Sequence, residues 1–283
     1  MTAMLKLSKL PGWVALLAIA AIALVQSPHA EARSLDEIMS SKKMRIGIIL
    51  VDQMVMRDPN SGELSGVWID GIRRLFDTLN LDPDFVETRW ATFVGGLQAD
   101  QFDVFISGFM TPQRALALEY TRPVVFLGHS ASALTENAGR FSTLSDLNSP
   151  DVTIATVLGG SGHQFAKQHL PLATIKPLDT GDLTASGMEV LSGRATVAMD
   201  NAFSVGRFVR MNQDRMVDLF KDDPFNVLPV AWAIRPGNPR LLTFLNNMLD
   251  YMDTNGIWQA VAADYKDTGL YLAKRGYEPL KPR

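Results

Sequence analysis

The first residue in this chain whose type and position could do chemistry is an arginine at an electrostatically unfavourable place. The run Phe102, Val104, Phe105 and Ile106 is short, apolar and rich in β-formers, and it ends at Ser107-Gly108 as a buried parallel strand should. Thr111 is then a good N-cap and Pro112 suits the first helical position, so the spacing predicts a helix carrying ALALEY, with Arg114 in its first turn. A cation there opposes the positive end of the helix dipole. A bound anion would account for it, because free backbone N–H groups and a guanidinium fork can hold one carboxylate together. The competing reading is a solvated surface arginine, the commoner fate of that residue type. On either reading, removing Arg114 should change folding stability by no more than about 1 kcal/mol.

A second stretch repeats this logic. Val152 to Val157 reads as an apolar strand, Gly159-Gly160-Ser161-Gly162 as a glycine turn, and His163 to His169 as a helix stopped by Pro171. Backbone N–H groups in such a turn form a nest for an anion or a carbonyl. The turn lacks the Gly-Lys-Ser/Thr of a nucleotide loop, and His163 stands where a nucleophile elbow needs its last glycine. His129, His163 and His169 lack zinc-site spacing, and with no cysteine there is neither a thiolate nucleophile nor a disulfide framework. No metal, cofactor or catalytic residue is implied.

The elements that must position these residues alternate between strand and helix. Ser34 and Glu37 make a capping box for a helix to Ser41, and Met44 to Val51 is a central strand. Asn60, Gly62 and Gly66 mark a turn before a helix over Trp68–Leu79, whose apolar face holds Ile69, Ile72, Leu75, Phe76 and Leu79. Asp70 near its start is a favourable dipole partner. Val124 to Leu134 and Val227 to Ile234 read as two crossings between a first and a second unit, and Pro239–Met252 and Gly256–Tyr265 as closing helices.

The chain has 283 residues, enough for two modest domains, with a formal net charge of −3 and no basic block. Nucleic acid is therefore excluded as a partner class. Lys6 and Lys9 precede the apolar run Trp13–Val25 and the small-Xaa-small pattern Ala30-Glu31-Ala32, which reads as a signal peptide over residues 1–32 and places the mature chain outside the cytoplasm. An uncleaved anchor is the alternative.

The string WATFVGGLQADQFDVFISGFMTPQRALALEYTRPVVFLG resembles the segment by which periplasmic amino-acid-binding proteins, solute-binding protein family 3 of ABC importers, are recognised: Trp90, Leu97, Asp103, Ser107-Gly108, Thr111, Arg114, Tyr120 and Pro123 fall in the family's order. SLDEIMSSKKMRIGI, GELSGVWIDGIRRLF, LSGRATVAMDNAF and GNPRLLTFLNNMLDYMDTNGIW are similar to further family segments, so the likeness spans roughly Ser34 to Tyr265. It implies an α/β, two-lobed periplasmic-binding-protein type II fold, each lobe a mixed sheet flanked by helices. Residues 33–128 with 228–283 would form lobe 1 and residues 129–227 lobe 2. It implies a monomer in the periplasm that binds an amino acid or similar small carboxylate and serves an ABC permease in the inner membrane.

The resemblance also implies site residues. Arg114 would clamp the ligand carboxylate beside Ser107, Gly108 and Thr111, and the turn Gly160-Ser161 would donate from the second lobe. Asp200, or Asn201 one residue on, would pair with the ligand ammonium. A strand-end acid capping the next helix is the structural alternative for Asp200. Met54 and Trp68 would suit an apolar ligand side chain, or else pack the core. Two departures stand out. Phe109-Met110 occupies the place of a hydroxyl residue, and the loop Asp52–Met56 lacks the family's aromatic platform. PDVTIATVLGGSGHQFAKQHLP is also similar to secreted cyclohexadienyl dehydratases, which act on prephenate-like substrates, but Phe203 and Ser204 stand where those enzymes carry a general-acid glutamate. A non-transport accessory or sensor protein is a third reading.

Overall fold

The computed structural model describes residues 32–265 apart from Asp52; the signal-peptide assignment lies outside the described residues except for Ala32. Helix α1 (Leu35–Ser41) opens on the expected capping box of Ser34 and Glu37 and leads into β1 (Lys43–Ile48). A small hairpin of β2 (Met56–Arg57) and β3 (Leu64–Ser65) precedes α2 (Val67–Asp77), β4 (Asp82–Glu87), α3 (Phe93–Gln98) and β5 (Val104–Phe109). After α4 (Pro112–Ala115) and β6 (Glu119–Tyr120), the long strand β7 (Val125–Leu134) carries the chain into a second set: β8 (Thr153–Val157), α5 (Ser161–His169), β9 (Thr174–Leu178), α6 (Ala185–Leu191), β10 (Val197–Asn201), α7 (Ala202–Met211) and β11 (Met216–Asp218). The return strand β12 (Phe225–Ile234) leads to α8 (Pro239–Thr254) and α9 (Ile257–Ala262).

The ten main strands form one sheet in the order β4-β1-β5-β12-β7-β10-β8-β9, with β6 beside β12 and β11 beside β7. The neighbours β4, β1 and β5 are parallel, as are β10, β8 and β9; β7 and β12 run antiparallel between the two groups. The expectation of a mixed sheet in each half is thus refined: both belong to one hydrogen-bonded sheet, because the crossing strands pair with each other as well as with the flanking sets. Phe225 lies opposite His129, and Val230 opposite both Val125 and Phe109.

Packing differs between the halves. The first is built on aromatic mass, with Trp68 of α2 meeting Trp258 of α9 edge-to-face at 5.1 Å, and with Phe93 and Phe105 stacked at 4.3 Å under Trp90. The second is packed chiefly by alanine and valine, with Phe141 and Phe208 as its buried aromatics. Asp103, one of the residues carrying the family likeness, is fold glue: its fully buried carboxylate accepts from Arg33 Nη1 at 2.9 Å, Arg45 Nη2 at 2.6 Å and the Arg45 N–H at 2.7 Å. Asp70, expected as a dipole partner, also accepts from the Tyr265 hydroxyl.

One helix is shorter than its sequence pattern predicts. α4 ends at Ala115, and Glu119-Tyr120 instead pairs with Ile234 and Ala233 of β12 while Leu118 sinks into the Trp90 cluster. Tertiary pairing outweighs helix propensity here, and so short a helix has little macrodipole to oppose Arg114. Among the described residues no helix is long and apolar enough to cross a membrane.

Candidate functional site

Three chain segments expected to do chemistry leave the carboxyl ends of β5, β8 and β10, where open α/β sheets present their ligand-contacting loops. At the end of β5, Ser107 adopts φ 71° and its buried hydroxyl has no hydrogen-bond partner. Gly108 lies within the strand opposite Ala231. Thr111 caps α4 by accepting the Arg114 N–H at 3.3 Å.

Arg114 is not a surface arginine: only 4% of it is exposed. Its Nη1 donates to the Phe109 carbonyl at 3.0 Å and its Nη2 to the Gly159 carbonyl at 2.9 Å, while the guanidinium lies 4.8 Å from the Phe93 ring centroid. These charge-assisted bonds and the ring face offset the desolvation of the cation. Burial lowers its pKa to about 10, opposed by the neighbouring Tyr120 phenol, so it remains charged at neutral pH. The burial and these bonds argue for a larger loss on its removal than the expected limit of about 1 kcal/mol, since the Gly159 carbonyl would lose its side-chain donor and the Phe109 carbonyl would keep only the Tyr120 hydroxyl at 3.4 Å.

Gly159 explains the glycine turn at the end of β8. It sits at φ 77°, and a Cβ there would lie 2.6 Å from the Ala91 Cα, so the turn needs both the left-handed backbone and the missing side chain. Gly162, where the family resemblance expects a second hydroxyl, faces the Met199 carbonyl at a distance that leaves a Cβ only 3.0 Å. His163 replaces the elbow glycine and accepts the Gly159 N–H on Nδ1 at 3.3 Å. Gly160 is the N-cap residue of α5 and spends its own N–H on the Val157 carbonyl.

Ser161 opens α5 and lines a cavity of about 570 Å³ together with Thr111, Gln164, Phe165, Lys167 and Asn226 among others. Its Oγ is 2.8 Å from His129 Nε2. His129, a residue the sequence did not single out for function, is fully buried on β7 among Phe109, Phe165 and Phe225, with Nδ1 3.1 Å from the Asn226 carbonyl. Burial chiefly, helped by the Arg114 charge and opposed by the Asn226 bond, holds its pKa down at about 4. A polar His-Ser-Xaa-Ser pattern inside an otherwise apolar crossing strand was the one available signal. Trp90 Nε1 is buried without a partner as well.

Asp200 and Asn201 are brought to the end of β10 but engage each other. Asp200 Oδ1 accepts from the Asn201 N–H at 2.7 Å and from its Nδ2 at 3.1 Å, and no cation pairs with it among the described residues; burial pushes its pKa up to about 7. Asn201 caps α7 through the Ser204 N–H at 2.9 Å. Neither residue lines the Ser161 cavity, and neither does Arg114. Met54 and Trp68 are both about 1% exposed inside the large first-half core rather than at the cavity. The arrangement joins a buried guanidinium, a hydroxyl held by an imidazole and a cavity of mixed polar and apolar lining where the two halves of the sheet meet.

Comparison with known proteins follows the same outline. The family described as bacterial extracellular solute-binding proteins, family 3, matches residues 48–268. The chain is similar to the cyclohexadienyl dehydratase of Pseudomonas aeruginosa, at 23% identity over 85% of this chain and 89% of that protein. It is also similar to the L-cystine-binding protein TcyJ of Escherichia coli, at 22% identity over 89% of this chain and 94% of that one. Among solved structures, an ancestral amino acid-binding protein described as a precursor of cyclohexadienyl dehydratase superposes with a TM-score of 0.73 at 30% identity, covering 82% of this chain and 98% of that one.

Proposed function

We propose that this chain, which belongs to family 3 of the bacterial extracellular solute-binding proteins, receives an amino acid or similar small carboxylate between two lobes and delivers it to an ABC permease in the inner membrane. Residues 33–128 with 228–283 and residues 129–227 are the two lobes, and the protein works as a periplasmic monomer freed of residues 1–32. The single observation carrying this reading is the bond from Arg114 Nη2 to the Gly159 carbonyl, which ties the end of β5 to the end of β8. Separating the two ends would release that donor into the cleft, and a ligand carboxylate could then take the place of the carbonyl with a bidentate fork. Closure over the ligand would restore the water-poor surroundings in which the contact is strongest.

The test is calorimetric titration of the chain starting at Arg33 with amino acids and small carboxylates. A ligand should be found in the micromolar range, and Arg114→Ala should weaken it by roughly 30- to 1000-fold, with Arg114→Lys recovering only part. Unchanged affinity in Arg114→Ala would remove the clamp from this reading.

The likeness to a cyclohexadienyl dehydratase supports a second reading, an enzyme acting on a prephenate-like substrate. Ser204 is instead engaged with Asn201, and Phe203 has no ionisable group to lend a proton. Turnover of prephenate or arogenate above background, lost on mutation of Arg114, would move this reading to first place.

A further inference from the structure

We propose that His129 sets the hydrogen-bond polarity of the cleft by accepting the hydrogen bond of the Ser161 hydroxyl, so that the cavity selects small carboxylates whose neighbouring group is a donor, a hydroxyl, an amide N–H or an amino group, over acceptor-only analogues. The inference rests on the binding reading above and names the ligand class for it.

The two ring nitrogens of His129 are told apart by their partners. Nδ1 lies 3.1 Å from the Asn226 backbone carbonyl, which can only accept, with the Asn226 side-chain amide farther away at 3.4 Å. Nδ1 therefore carries the proton and Nε2 is bare. At 2.8 Å from Nε2, the Ser161 hydroxyl is the donor of that bond. A serine hydroxyl has one proton and two lone pairs, so what remains for the cavity is an acceptor. The ring cannot readily exchange roles, because it is fully buried, flanked by Phe109, Phe165 and Phe225, and held opposite Phe225 by the β7–β12 pairing. Its low pKa, itself a result of that burial, agrees with a ring that stays neutral.

A ligand hydroxyl, amide N–H or ammonium facing Ser161 finds that lone pair, and at the neighbouring end of β10 Asn201 engages Oδ1 of Asp200 and not its second oxygen. A ligand keto or ether oxygen facing Ser161 would set two acceptors against each other, the repulsive element that gives selectivity.

The experiment titrates the chain starting at Arg33 with three carbon frames, each as 2-hydroxy, 2-oxo and 2-amino acid: lactate, pyruvate and alanine; malate, oxaloacetate and aspartate; and the 4-methylpentanoate series ending in leucine. In any frame that binds, the hydroxy and amino acids should both be tighter than the oxo acid by about tenfold or more. His129→Phe keeps an aromatic ring among its neighbours but frees the Ser161 proton, so the hydroxy-to-oxo ratio should fall to about threefold or less. The oxo acid binding as tightly as its hydroxy counterpart, or a ratio unchanged in His129→Phe, overturns the inference and leaves the binding reading standing. A wild type that binds nothing in any screen overturns both. Should His129→Phe not fold, long-range proton–nitrogen NMR of the wild type decides: a proton on Nδ1 supports the assignment, and one on Nε2 refutes it.

Discussion

The turns leaving β5 and β8 have the same outline, strand then small residues then helix, yet they deliver polarity to the cleft in opposite ways. At the first, a side-chain cap from Thr111 and a four-residue helix bring in a full positive charge on Arg114. At the second, the nine-residue α5 follows the N-cap Gly160, which offers no side-chain cap, and its one hydroxyl, Ser161, is governed by a histidine from β7. The turns are also spent on each other, since the Gly159 carbonyl of the second satisfies the Arg114 fork of the first. A local motif thus determines which residue reaches the cleft, whereas a contact distant in sequence determines what that residue can still bond.

The comparison can be broken most severely at Gly159. Gly159→Ala places a Cβ against the Ala91 backbone and forces a left-handed alanine, and should cost about 4 kcal/mol or more in urea denaturation. Gly160→Ala, at φ −65° and with its nearest contact at 3.0 Å from the Val157 carbonyl, should cost much less. Equal losses in the two variants would mean that the turn does not depend on its approach to Ala91.

Arg114→Ala should destabilise the unliganded protein by about 2–4 kcal/mol, because the half-buried Gly159 carbonyl loses its guanidinium donor, the Phe109 carbonyl keeps only the long bond from the Tyr120 hydroxyl, and the Phe93 ring face is left open. A loss below about 1 kcal/mol would show that water replaces the guanidinium at no cost.

The paired strands β7 and β10 also carry a pair of opposed titrations. Asp200, raised from 3.8 to about 7, stabilises the fold fully below pH 3.8 and loses that contribution as pH rises toward 7. His129, lowered from 6.5 to about 4, contributes fully above pH 6.5 and loses its contribution as pH falls toward 4. Between pH 4 and 6.5 the two slopes oppose each other in the wild type. Relative to the wild type, Asp200→Asn should gain stability with rising pH across that window and His129→Phe should lose it, each by about 3 kcal/mol. Parallel pH profiles for wild type and both variants would refute the pairing. The smallest effect is expected at Thr111→Ala, about 1 kcal/mol for a lost helix cap, read from the urea midpoint.

Legibility from sequence followed the range of the interactions. The capping box of Ser34 and Glu37, the Thr111 cap, the glycine turn and both crossing strands were readable because each depends on neighbours a few residues away. The resemblance supplied the architecture and drew Arg114, Ser161 and Asp200 into one region of interest. It could not say that Met54 and Trp68 pack the core, since an apolar residue at a loop or helix start serves either purpose. Nor could it say that Arg114 is buried, which takes Gly159 and Phe93 to explain. His129 was passed over because its partners, Ser161 and Asn226, lie well downstream, and a histidine in an apolar strand carries no local sign of what it will meet.

The strand order has a consequence for how the chain acquires its structure during synthesis. β5 leaves the ribosome early, but the neighbour that completes its edge is β12, which arrives only after all of β7 to β11 has been made. The first half therefore cannot close its sheet in order of emergence, and its most apolar strand waits with an unsatisfied edge while the second half is still being translated. Such high contact order slows folding and lengthens exposure to misassociation. A nascent chain stopped short of Phe225 should consequently be a better client for chaperones than for ligand.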